Sequence, residues 1–185
     1  MTEEKPLPAD DPIYSRKVLE MITVANEYCL FLEKAEAYSV AELTGFLQKI
    51  SPLIYLKSAL LPDIEVQNED AVEHYVTEEQ WESLFNILYQ KFGDHDAFYF
   101  VDHHEKSHND PVKGSLAESF TDVYQDLKDF LLLYQNPLRS FKENAVYDCK
   151  KLFETRYGYR LLIASAALHC LQYPGVDDPG YDSDW

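Results

Sequence analysis

The sequence predicts an all-α fold: a single domain of five to six helices, joined through antiparallel hairpins around one apolar helix. Three observations carry this. Gly is scarce, 6 in 185 residues, which disfavours a sandwich or barrel built on many tight turns. Apolar residues recur at the helical period through most of the chain. Finally, Tyr159 to Tyr173, YRLLIASAALHCLQY, is apolar round most of its circumference and is expected to be the central helix, enclosed by the others. It is shorter than the roughly 20 residues of a membrane span, and Arg160 sits in its first turn, so it reads as core.

Taken in order, residues 1–12 form an acidic, Pro-rich arm without the apolar centre of a signal peptide. A single helical domain is expected over 13–173 and a loose acidic tail over 174–185. The first helix should run from about Tyr14 to Ala37, with Val18, Ile22, Ala25, Cys29 and Leu32 as its stripe. Ser39 and Glu42 make a capping box for a second helix, with Pro52 either kinking or restarting it. Between Lys57 and Lys91 there is no Lys or Arg while acidic residues accumulate, so a mobile loop is expected around Gln67 to Asp70. Thr77 and Gln80 cap a third helix that Gly93 should stop.

Ala97 to Val101 is an aromatic run too short for a helix, fitting an extended segment on the core, and the chain from there to Gly114 reads as loop. Ser115 and Glu118 form a further box, opening a helix with Leu116, Phe120, Val123, Leu127, Phe130 and Tyr134 along one face. Asn136 and Pro137 should cap the next helix, so short a connection that the two must pair antiparallel. Gly158 is then a bend or a close-packing point before the apolar helix.

A formal charge of −17 argues against nucleic acid or an anionic membrane as partner, because both draw on clustered Lys and Arg. Cys29, Cys149 and Cys170 are odd in number, widely spaced and set in apolar helical patterns, which suggests buried thiols and a cytoplasmic protein.

Two stretches, GSLAESFTDVYQDLKDFL (Gly114 to Leu131) and FETRYGYRLLIASAALHCL (Phe153 to Leu171), resemble the domain of unknown function 5063 family of bacterial proteins; NEYCLFLE (Asn26 to Glu33) is similar but less specific. The resemblance implies an all-helical cytoplasmic fold without an established activity, and it names no catalytic residue. Tyr157 stands where the family pattern has Trp, so any role of that indole does not transfer.

Three constellations bear on chemistry. The segment Asp94 to Asp110 gathers four of the 6 histidines with several carboxylates, and Asp102, His104 and His108 are its candidate ligands for a divalent transition metal. Arg156 and Arg160, at i and i+4, would lie on the apolar side of a helix continued through Gly158, and Asp122, Asp126 and Asp129 line one side of a preceding helix. The two sets can form an ion-pair clasp, or the arginines can hold an anionic ligand. Ser165, His169 and Gln172 make a polar seam lacking an orienting acid or oxyanion donors. No catalytic residue is assigned. The expected function is a non-enzymatic protein-interaction module without a cofactor, its protein partner unidentified; the alternative is a metal- or small-ligand-binding protein, possibly hydrolytic, using residues 94–110.

Overall fold

Ser39 and Thr77 each begin a helix, and both close the reciprocal box: each hydroxyl accepts the backbone N–H three residues on, while Glu42 and Gln80 accept from the N–H of the capping residue. The computed structural model describes residues 11–102 and 110–173. Its helices are α1 (Arg16–Leu32), α2 (Val40–Ala59), α3 (Glu78–Phe92), α4 (Leu116–Gln135), α5 (Arg139–Leu152) and α6 (Gly158–Gln172). One antiparallel hairpin, β1 (Ala97–Val101) and β2 (Pro111–Ser115), interrupts them, paired from Ala97 opposite Ser115 to Val101 opposite Pro111. The fold is all-α in class with this small sheet added. No helix of the described residues is long and apolar enough to cross a membrane.

Several expectations need correction. The most enclosed helix is α4, not the segment 159–173. α4 packs against α1, α3, α5 and α6 and buries Leu116, Phe120, Val123 and Leu127 completely. α6 buries Leu161, Ala164 and Leu168 against α2 and α4 but leaves Leu162 46% and Leu171 40% exposed. An apolar circumference permits enclosure without enforcing it, and among the described residues the main helical neighbours of α6 are α2 and α4. Cys170 is accordingly exposed, whereas Cys29 and Cys149 are buried as expected.

The N-terminal boundary also moves. Asp11 is buried, caps the short 3-10 turn Pro12–Tyr14 and pairs with Arg139, so the ordered fold includes residues assigned to the arm. Residues 1–10 and the tail 174–185 lie outside the described residues. Pro52 sits inside α2, which continues past it to Ala59. The residues expected as loop up to Gly114 instead provide β2, because β1 needs a hydrogen-bonding edge beside it. Asn136 does not cap α5; its side chain accepts from Leu138 N–H in the turn, and the helix starts two residues later than Pro137, at Arg139.

The acidic connection from Leu61 to Val76 is not a detached loop. It buries Leu61, Ile64, Ala71 and Val76 on the bundle. Asn144 donates to the carbonyl of Asn68 at 2.7 Å, and Asp129 accepts the N–H groups of Tyr75 and Val76 at 2.8 and 2.9 Å. Its charges face water while its backbone is tied to α4 and α5.

The third box is only half made. Ser115 Oγ accepts from Glu118 N–H, and Glu118 turns toward Arg160 instead of back to the cap. Asp96 takes up the slack: it is buried, its backbone carbonyl accepts from Leu116 N–H at 2.9 Å and its carboxylate from Ala117 N–H at 2.8 Å. One residue thus joins the base of the hairpin to the start of α4.

Candidate functional site

The chain stays helical from α5 into α6 through a five-residue π segment, Phe153–Tyr157. Wide turns of this kind are rare and gather at functional sites. Gly158 lets it close: a Cβ there would stand 2.5 Å from the Phe153 carbonyl oxygen. The extra residue in the turn sets the direction of both arginines. Arg156 Nε donates to Asp126 Oδ2 at 3.0 Å and Nη2 donates to Oδ1, a bidentate pair in which the Asp126 side chain is 3% exposed and that of Arg156 46%. Arg160 donates to Asp122, and Glu118 lies 3.6 Å from it; Asp122 also accepts from Trp81 Nε1 at 2.9 Å. Asp126 and Asp122 therefore already occupy the guanidinium groups of Arg156 and Arg160. Asp129, on the same side of α4, holds the acidic connection instead, including His74 Nδ1 at 3.1 Å.

Beside the clasp, Tyr157 is fully buried and donates to Ser58 at 2.8 Å, with the Cys149 thiol at 3.4 Å. Burial pushes that thiol up to about 12 and the phenol well above its ordinary value, so neither ionises near neutrality. This cluster is packing with its polar atoms satisfied, not a reactive centre.

Two of the concave features among the described residues lie beside these elements. The first is a cleft of about 490 Å³ between the acidic connection, α4 and the α5–π junction. Its apolar floor includes Phe130, Leu133 and Leu152, and its polar wall carries His74, Asp126, Asp129, Asp148, Lys151 and Arg156. Asp148 differs from the other carboxylates there. It is half-buried, no hydrogen bond or ion pair from the described residues reaches it, and desolvation raises its pKa against the opposing pull of Lys151 and His74. The sign follows from linkage: the folded protein holds that proton more tightly than the unfolded chain, so ionising Asp148 costs stability as pH rises above its ordinary 3.8. Asp148→Asn is expected to melt a few degrees higher than the parent at neutral pH, and melts repeated down to acid pH should show the difference closing.

The second is an open groove of about 430 Å³ between β1 and α6. Phe98 and Phe100 face Ile163 and Leu171 across it; Ala97, Ala166 and Ala167 are the small residues of its lining, and Asp94 and His95 stand at its rim. Tyr159 ties the two sides, donating to Val101 O at 3.2 Å with its ring edge toward Phe100.

The expected metal set does not come into view. His104 and His108 lie outside the described residues, and Asp102 is described and already engaged in an interaction. Among the described residues no three His, Cys, Asp or Glu side chains converge as a metal site would require. Ser165 Oγ donates to Leu161 O within its own helix, and His169 packs on Tyr173, so the seam holds no base–nucleophile pair. Sequence reasoning passed over Asp148 and His74. His74 is the one imidazole in an acidic run, a faint signal; Asp148 has none, because its distinction is the partner it lacks.

Comparison with curated proteins finds no relative. Among solved structures, the chain is similar to the crystal structure of protein BF1032 from Bacteroides fragilis, with a TM-score of 0.80 and 31% identity over 90% of this chain and 99% of that one. The model of a family described as Domain of unknown function (DUF5063) matches residues 12–174, a span that takes in the clasp, the π turn, the cleft and the groove. The chain belongs to the DUF5063 family.

Proposed function

We propose that the protein is a non-enzymatic interaction module that seats an amphipathic, basic-flanked helix of a partner protein in the groove between β1 and α6. The observation carrying this is the open side of α6, where Leu171, Ala166 and Cys170 are exposed beside half-buried Phe98 and Phe100. Apolar surface of this kind, left uncovered by the described helices, marks interaction sites. Alanines in the lining let a second helix approach closely, and a helix docks through anchors at i, i+3, i+4 and i+7. Charge selects the partner: Asp94 at the rim and a formal charge of −17 favour Lys and Arg flanking those anchors.

Cys170 reports occupancy of the groove. A thiol-specific disulfide reagent is expected to react fast with this exposed cysteine in the native protein and slowly with Cys29 and Cys149, which are buried. A synthetic Leu/Lys amphipathic helix of about 18 residues, five turns long, should slow the Cys170 reaction several-fold. A Leu/Glu helix with the same apolar pattern should not, and Ala166→Gln should remove the protection without moving the melting temperature. Equal protection by both peptides, no protection, or protection that survives Ala166→Gln would sink the reading.

A further inference from the structure

We infer that the cleft between the acidic connection, α4 and the α5–π junction binds a small organic cation, a primary ammonium on a short apolar stem, with Asp148 as its counter-ion. This site is separate from the β1–α6 groove and does not depend on the docking proposal.

Four carboxylates line the cleft, and three are satisfied. Asp126 is held by Arg156; Asp129 accepts from His74, Tyr75 and Val76; Glu73 accepts from the Tyr75 hydroxyl at 2.6 Å. Asp148 has no such partner among the described residues, although burial raises the cost of its charge. A half-buried carboxylate without a donor is unfavourable unless something brings one. The nearby cations do not: Arg156 is committed to Asp126, the Lys151 ammonium lies over the Tyr147 ring 5.6 Å from its centroid, and His74 is turned to Asp129. Asp148 lines the cleft together with the apolar Phe130, Leu133, Ala145 and Leu152. A ligand that matches both features carries one positive charge and an apolar body, which is how small-molecule sites generally divide orientation from affinity. With no three metal-ligating side chains converging among the described residues, the geometry favours an ammonium over a bare divalent ion.

The test titrates the full chain with phenethylamine and hexylamine, following binding by calorimetry and amide chemical shifts. Saturable binding is expected, with shifts confined to Val72–His74 and Asp148–Arg156, and with 2-phenylethanol, which lacks the charge, binding at least tenfold more weakly. Asp148→Asn should weaken the amines at least tenfold. Glu27→Gln, an exposed carboxylate on α1, removes the same unit of charge and should leave binding unchanged. The proposal is overturned if neither amine binds saturably, if Asp148→Asn and Glu27→Gln lose affinity equally, or if the shifts map elsewhere. The wild-type shift map decides the case even should the Asp148 variant fold poorly. Magnesium is run alongside, and tighter binding of magnesium than of either amine at Asp148 would equally overturn it.

Discussion

Arg156→Met is expected to lower stability by about 2–4 kcal/mol, less than the full cost of breaking a buried ion pair because the guanidinium is half in water. For a chain of this size that is a fall in melting temperature of roughly 5–15 °C. The loss comes less from the missing attraction than from what is left behind. Asp126, with its side chain 3% exposed, would keep a carboxylate whose bidentate partner is gone and which water reaches poorly. That account makes a second outcome specific: Asp126→Leu in the same chain should recover most of the loss, since an apolar pair of similar volume often replaces a buried ion pair without cost. Thermal melts of the two single variants and the double variant check it. A loss under about 1 kcal/mol for the single change would put the pair among surface salt bridges. It would also reopen the arginine for ligand binding.

The second large effect is expected at Gly158. In an ordinary helix, Gly to Ala gains about 1 kcal/mol. Here the added methyl would stand 2.5 Å from a backbone carbonyl oxygen and 2.8 Å from the Phe153 ring, and the carbonyl cannot rotate aside as a side-chain tip could. Gly158→Ala should therefore destabilise by about 1–3 kcal/mol, the range for forcing atoms into a filled space, less whatever helix propensity returns, read as a lower urea midpoint at unchanged slope. The chain can escape the overlap by expelling the π turn, but that rotates α6 relative to α5 and breaks the Arg156 and Arg160 pairs together. A variant more stable than the parent would show that the wide turn relaxes freely and that the clasp does not depend on it.

How far such features can be read in advance depends on the range of the interaction that makes them. Ser39–Glu42 and Thr77–Gln80 are legible because cap and capped group lie three residues apart and both carry side chains suited to the task. The Arg156–Asp126 and Arg160–Asp122 pairs lie further apart, yet helical spacing fixes each set on a face and leaves few ways to match opposite charges. Asp129 defeats the same logic. Its partners are backbone N–H groups at Tyr75 and Val76, and a backbone donor has no letter of its own. The hairpin was half legible: Phe98 and Phe100 mark β1, whereas Pro111, Lys113 and Gly114 do not read as a strand and become one by pairing. The cleft is illegible, since it is assembled from residues near 72–74, 125–133 and 145–156, and what sets Asp148 apart there is the lack of a partner among the described residues. The open side of α6 escaped for a different reason. An apolar pattern reports what a helix tolerates around it, not how many neighbours the topology delivers.

Asp96 has a consequence for the chain's tolerance of change in length. Its carbonyl and carboxylate hold the first two N–H groups of α4, so the segment between residues 96 and 116 is pinned where it leaves the body and where it returns. The ladder from Ala97–Ser115 to Val101–Pro111 extends that seam outward. Once both ends of a segment are fastened, lengthening its tip adds only loop-closure entropy, about 0.6 kcal/mol for each doubling. Insertions between Asp102 and Asp110 are therefore expected to leave α4 in place. An epitope or tag grafted there is expected to leave the melting temperature of the bundle nearly unchanged.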